Sequence, residues 1–134
     1  MPLTVPIVGD TLLLRYMLNN VTPADVQMRL YSNNVTPHES SALSDFTESA
    51  ATSPYTAVTL SGASWTVSSG ATAGSTGTYA AQNFNFSTAD TIYGYFITSG
   101  GARTLLWAER FSGGPFQLPT SGGQIQVNPK ISLD

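Results

Sequence analysis

The chain has no cysteine, one lysine and one histidine among its 134 residues. Without cysteine there are no disulfide staples, thiolate metal centres or cysteine nucleophiles. Lys130 stands alone, and the four arginines are scattered at positions 15, 29, 103 and 110. Phosphate backbones are bound by clustered cations, so direct nucleic-acid binding is not expected. Charged residues make up only 10% of the chain, against a usual share of about 25%. No apolar run approaches the ~20 residues that cross a bilayer, and no membrane partner is expected. The opening MPLTVPIVGD lacks the charged start and continuous apolar stretch of a secretory signal, which predicts synthesis in the cytoplasm.

What remains is a neutral surface chemistry. Apolar residues supply 41% of the chain, the net charge is −3, and serine and threonine together make up about a quarter. The length suits one domain with one substantial core. A hydroxyl-rich, weakly charged surface suits a protein that lives packed against other subunits.

The pentapeptide NNVTP occurs twice, at 19–23 and 33–37. The first copy follows GDTLLLRYML, where Leu12, Leu13, Tyr16 and Met17 recur at spacings of three and four. That is a short helix, capped at Asp10 or Thr11 and ended by Asn19 or Asn20 in the left-handed conformation. The second copy follows DVQMRLYS, where Val26, Met28 and Leu30 alternate with Gln27, Arg29 and Tyr31, the period of a half-buried strand. The pentapeptide therefore reads as one turn chemistry used twice. The weak alignment of the two stretches, with Arg15 above Arg29, would instead make both of them strands. Asn20, Asn34 and Asn85 match the glycosylation acceptor pattern, which a chain rich in Asn, Ser and Thr meets by chance.

From Thr56 onward, TAVTL, SWTV, TYAAQNFNF, TIYGYFIT, RTLLWAERF and GQIQVNPKISLD read as strands between Gly and Ser clusters, with a further short strand at 116–118. Pro129 places the last one at an edge or bulge. About eight strands predict an all-β, jelly-roll-like antiparallel sandwich with one short N-terminal helix, over residues 10–134. Residues 1–9 read as an extended arm. The 38–55 stretch is long, polar and weakly patterned, which marks a functional or mobile loop.

No residue set announces a reaction, and the chain is not expected to be an enzyme or to carry a cofactor. His38, Glu39, Asp45 and Glu48 could form a small cation site, but the spacing matches no calcium loop and one imidazole is a poor zinc site, so a solvated loop is favoured. SSGATAGSTGT lacks the Gly-Lys-Ser/Thr ending of a phosphate loop and reads as a hairpin connection. Glu109 shares a strand face with Trp107 and Phe111 and needs a partner such as Arg103, whereas Arg110 points to the opposite face. Most aromatics belong to the core. Tyr93 and Tyr95, opposite Ile92 and Phe96, form an exposed pair fit for an interface or, less readily, for a glycan.

The order LLLRYML, LYSNNVTP, SPYTAVTLSGASWTV, IYGYFIT, LLWAERFSGGPF and IQVNPKISL resembles the capsid decoration (cement) proteins of tailed bacteriophages, including those of cyanophages. The likeness covers nearly the whole chain. It implies a homotrimeric jelly-roll subunit on the outer surface of the virion head, bridging adjacent major capsid proteins by binding alone. The apolar arm is too hydrophobic for a free tail. Leu3, Val5, Pro6, Ile7 and Val8 are expected to lie along a neighbouring subunit, so that removing residues 1–8 weakens attachment without unfolding the domain. Tyr93, Tyr95 and Arg110 complete the expected interface. The alternatives are a tail or baseplate subunit, and a receptor- or glycan-binding module using the tyrosine pair and the 38–55 loop.

Overall fold

The computed structural model describes residues 4–50, 54–69 and 74–133. One helix, α1 (Ile7–Met17), precedes eleven strands among these residues: β1 (Val26–Tyr31), β2 (Val58–Leu60), β3 (Thr66–Ser69), β4 (Ser75–Thr78), β5 (Gln82–Phe86), β6 (Asp90–Ile92), β7 (Gly94–Ser99), β8 (Leu105–Arg110), β9 (Phe116–Leu118), β10 (Gly123–Val127) and β11 (Lys130–Leu133). Every pairing is antiparallel. The chain is an all-β, jelly-roll-like sandwich with a short N-terminal helix.

The first layer is a four-stranded sheet in the order β2-β1-β7-β8. The second is built on a long ribbon in which β4, β5 and β6 run against β11, β10 and β9 in turn. Between the first two pairings three residues, 79–81, oppose two, 128 and 129, so one extra residue bends the ribbon there. Pro129 has no N–H to give, but its carbonyl accepts the Tyr79 N–H at 3.0 Å. The expected single strand 123–134 is therefore two strands broken at the proline, and TYAAQNFNF and TIYGYFIT divide in the same way. β3 adds to the outer edge of β4, so the glycine-rich stretch belongs to a β3–β4 hairpin whose tip, 70–73, lies outside the described residues.

The four-stranded sheet is covered on both faces. Met28 and Leu30 of β1 and Tyr95 and Ile97 of β7 point into the main core, against Phe84, Phe86, Ile125 and Val127 of the ribbon. The alternate residues Tyr31 and Phe96 join Phe46, Leu105 and Ala108 in a smaller cluster on the other face. An extra residue in β8, opposite Ile97 and Thr98, turns Leu106 and Trp107 both towards the main core. The smaller cluster is roofed by the loop after β1, where Phe46 lies 5.1 Å from the Tyr31 ring and 5.5 Å from Phe96.

The N-terminal arm belongs to this fold. Thr4 exchanges both backbone hydrogen bonds with Ala108 at 3.0 and 2.9 Å, Val5 packs on the main core and Pro6 is fully buried. An unpaired β8 edge would expose a row of N–H and C=O groups, and the arm of the same chain satisfies it. The expectation that Val5 and Pro6 lie along a neighbouring subunit, and that residues 1–8 are dispensable for folding, is corrected on this ground. Residues 7–9 are helical, so the extended segment is shorter than the expected 1–9. Leu3 lies outside the described residues.

Candidate functional site

The most unusual surface is made by α1. The helix starts at Ile7, three residues before the expected cap, and without a side-chain cap: Ile7 N–H donates to Glu39 O at 2.9 Å, and Gly9 and Asp10 N–H donate to the N-cap carbonyl of Pro6 at 2.8 and 3.0 Å. Asp10 sits in the first turn, where a carboxylate favours the helix dipole. Asn19 ends the helix at φ 54°, as its sequence suggests. Asn20 N–H reaches Arg15 O and Asn19 N–H reaches Tyr16 O, the two bonds of a Schellman motif. The second NNVTP works differently, since the Asn33 amide donates to Asp45 O at 2.7 Å and accepts Thr47 N–H at 2.8 Å, clamping the loop after β1.

The inner side of α1 lies on β8. A Cβ on Gly9 would stand 2.4 Å from Leu106 O, so this close approach requires glycine. Leu12 packs on the core beside it. The outer side carries large apolar side chains among the exposed polar Asp10, Thr11 and Arg15. Ile7, Leu14 and Leu18, spaced by seven and four, are 59%, 51% and 67% exposed, with Val8 and Met17 on the flanks and Val21 just beyond the helix.

Between α1 and the β3-β4-β11 sheet runs a groove of about 400 Å³. Its walls include Leu13 and Tyr16 of α1, Trp65 and Val67 beside and within β3, Gly77 of β4 and Ile131 of β11, and Trp107 contributes from β8. None of the side chains lining it is charged. Trp107 is 6% exposed, and its indole Nε1 is a buried donor without a hydrogen-bond partner.

The other residues singled out from sequence are spread through the fold. Tyr95 is buried in the main core rather than exposed, because the ribbon covers the face it was expected to leave open. Its hydroxyl donates to Glu109 Oε2 at 2.8 Å, so the partner of Glu109 is Tyr95 and not Arg103. Tyr93 is half-buried under the Arg110 guanidinium, 5.0 Å from ring centre to Cζ, while Arg110 also donates to Val35 O at 2.9 Å. This pair holds the loop after β1 and is not an open platform. Ile7 and Val8 are exposed on α1. Among the described residues no group of three His, Asp or Glu side chains is placed to hold a metal ion.

The polar feature that sequence reading missed centres on Arg29, only 7% exposed on β1. It donates to Thr98 Oγ1 at 2.9 Å and Gln27 Oε1 at 2.6 Å, and its Nε lies 3.3 Å from Glu48. Glu48 also meets Arg103 at 3.5 Å and accepts the Tyr55 hydroxyl at 3.3 Å. That hydroxyl in turn accepts Leu30 N–H at 3.1 Å. The only local signal is a cation at an alternating position of a strand whose two faces are both buried. No protein family, curated protein or solved structure matches the chain.

Proposed function

We propose that the chain is a structural virion subunit, a decoration protein that binds the outside of a phage head as a homotrimer and bridges adjacent major capsid proteins. The observation that carries the reading is the outer stripe of α1. Ile7, Leu14 and Leu18, with Val8, Met17 and Val21 nearby, put six large apolar side chains on the surface around one short helix, and clusters of exposed apolar side chains mark interaction surfaces. The low charge of the chain lowers the desolvation cost of packing that stripe against a shell. Added contact area between capsid subunits then resists internal pressure by binding energy alone. The sequence likeness to cement proteins supplies the choice of the head.

Cryo-electron microscopy of purified particles is the test. The expected result is three copies around local three-fold positions of the head, with α1 against capsid subunits. Density on the tail would transfer the same docking role to a tail or baseplate subunit. Absence from the particle would overturn the virion reading.

A further inference from the structure

The β11-β4-β3 sheet ends on β3, and no described strand lies beyond it. Tyr79 N–H donates to Pro129 O, so the backbone polar groups of residue 79 face β11, and by alternation those of Thr78 and Thr76 face β3. Their partners Thr66 and Ser68 turn back towards β4, which leaves the N–H and C=O of Val67 pointing off the sheet. Such an edge templates pairing with another strand, and proteins guard it with charge, proline or a bulge. β11, at the opposite edge, carries Lys130 and follows Pro129. β3 has none of these guards. No charged residue stands between Glu48 and Asp90, no proline stands between Pro54 and Pro115, and the register of β3 with β4 is unbroken. At its centre the Val67 side chain is 74% exposed, more than any other described large apolar side chain except Met17. The same features select the occupant. A free N–H and C=O on one residue fit a strand that offers both in return, as a copy of β3 does. A twofold contact sets an edge against itself, so any charge there would repel its own copy, and this edge has none. We infer that β3 is a self-association edge, at which two copies of the chain pair antiparallel about a twofold axis through Val67 and join their sheets into one of six strands. Val67 exchanges both backbone bonds with its own copy, the two valine side chains lie opposite each other, and Thr66 stands opposite the partner's Ser68.

This contact is separate from the outer side of α1, and it stands whether or not the protein belongs to a virion. So short an edge buries less than the ~1,600 Å² of a standard stable interface, so the dimer should be reversible and weak. Sedimentation equilibrium of the full chain, from about 1 µM to about 1 mM, is the test. The expected result is a mass that doubles across that range, in the native protein and equally in a variant with Leu14→Glu and Leu18→Glu on α1. Val67→Lys, at an exposed side chain, sets two like charges opposite each other and should raise the Kd by about tenfold or more. Val67→Pro removes an N–H that points off the sheet, where an edge strand tolerates proline. It should abolish the dimer while the circular dichroism spectrum is kept. The chain has no cysteine, so Val67→Cys supplies one thiol. Its copy would lie about 5.5 Å away between Cα atoms, within disulfide reach, and mild oxidation should cross-link it at least about tenfold faster than Ser69→Cys. A protein that stays monomeric to about 1 mM, or a dimer that both the lysine and proline variants leave intact, would overturn the inference. So would unfolding by proline but not by lysine, because the Val67 N–H would then be spent inside the sheet. Equal cross-linking at 67 and 69 would refute the twofold at Val67, and capture of an extended peptide by a protein that never self-associates would give the edge to a foreign strand instead.

Discussion

Three of the six tyrosines carry their hydroxyls inside the molecule, and burial acts on each in the same direction. Burial pushes the phenol of Tyr31 up to about 12, with the nearby Arg110 pulling it down and Glu109 adding to the rise. Tyr55 is raised by burial and by Glu48, against the hydrogen bond from Leu30 N–H. Tyr95 is raised by burial and by its bond to the Glu109 carboxylate. Each native hydroxyl thus keeps its proton at a pH where the unfolded chain has lost it. The stability this contributes is complete below the ordinary value of 10, and it drains away as pH rises from there through about 12. The melting temperature should therefore fall steeply above pH 10. Phenolate absorbance from these three tyrosines should appear together with the cooperative loss of structure. Tyr95→Phe should soften the alkaline slope while leaving the other two coupled to unfolding. Non-cooperative ionisation of all six tyrosines in the folded protein would contradict their burial.

At the scale of elements, the loop after β1 is a roof, and Glu48 is its main fastening. Residues 47–49 continue the outer edge of β1 beyond the end of β2: Thr47 O accepts Ser32 N–H, Ser49 N–H donates to Leu30 O, and the Ser49 hydroxyl donates to Asp90. Glu48 points inward from this run to the buried Arg29. Glu48→Ala would leave that guanidinium short of its counter-charge, and should cost about 1–3 kcal/mol in denaturant unfolding. It should also open residues 38–55 to limited proteolysis. Arg103→Ala, removing a half-exposed partner of the same carboxylate, should cost no more than about 1 kcal/mol. Equal costs would mean that the buried half of the network does not hold the roof. The same loop explains what the sequence could convey. The helix, its end at Asn19 and the strand β1 are local signals and were legible, as was the antiparallel sandwich, but β1 is not the half-buried strand its alternation suggests, since Arg29 and Tyr31 are buried as well. The exposure of Tyr95 was misjudged because alternation shows two faces but not what covers each one. The covering ribbon is brought in by pairings between residues about forty apart, and the roof on the other face has no strand pattern. The bend at Pro129 and the extra residue in β8 likewise depend on partners distant in sequence.

At the scale of the whole molecule, the N-terminal region does two separable things, which expectations from sequence had merged. Thr4 to Pro6 close the β8 edge and fill the core, whereas Leu14 and Leu18 on the outer side of α1 are more than half exposed among the described residues. Charge placed on that outer side should therefore test docking without testing folding. Leu14→Glu combined with Leu18→Glu changes two half-exposed or more exposed positions, and exposed substitutions usually shift stability by no more than about 0.5 kcal/mol. The double variant should melt within a few degrees of the native protein, yet fail to co-sediment with phage heads stripped of it and lose any trimer seen by light scattering. Removing residues 1–8 should give the opposite ordering of effects. It takes away the edge pairing, the buried Pro6 and the first helical residues, so the melting temperature should drop before attachment can be assayed. If the charged variant still attaches and associates normally, the stripe is not the docking surface, and the partner of this neutral molecule has to be sought on another face.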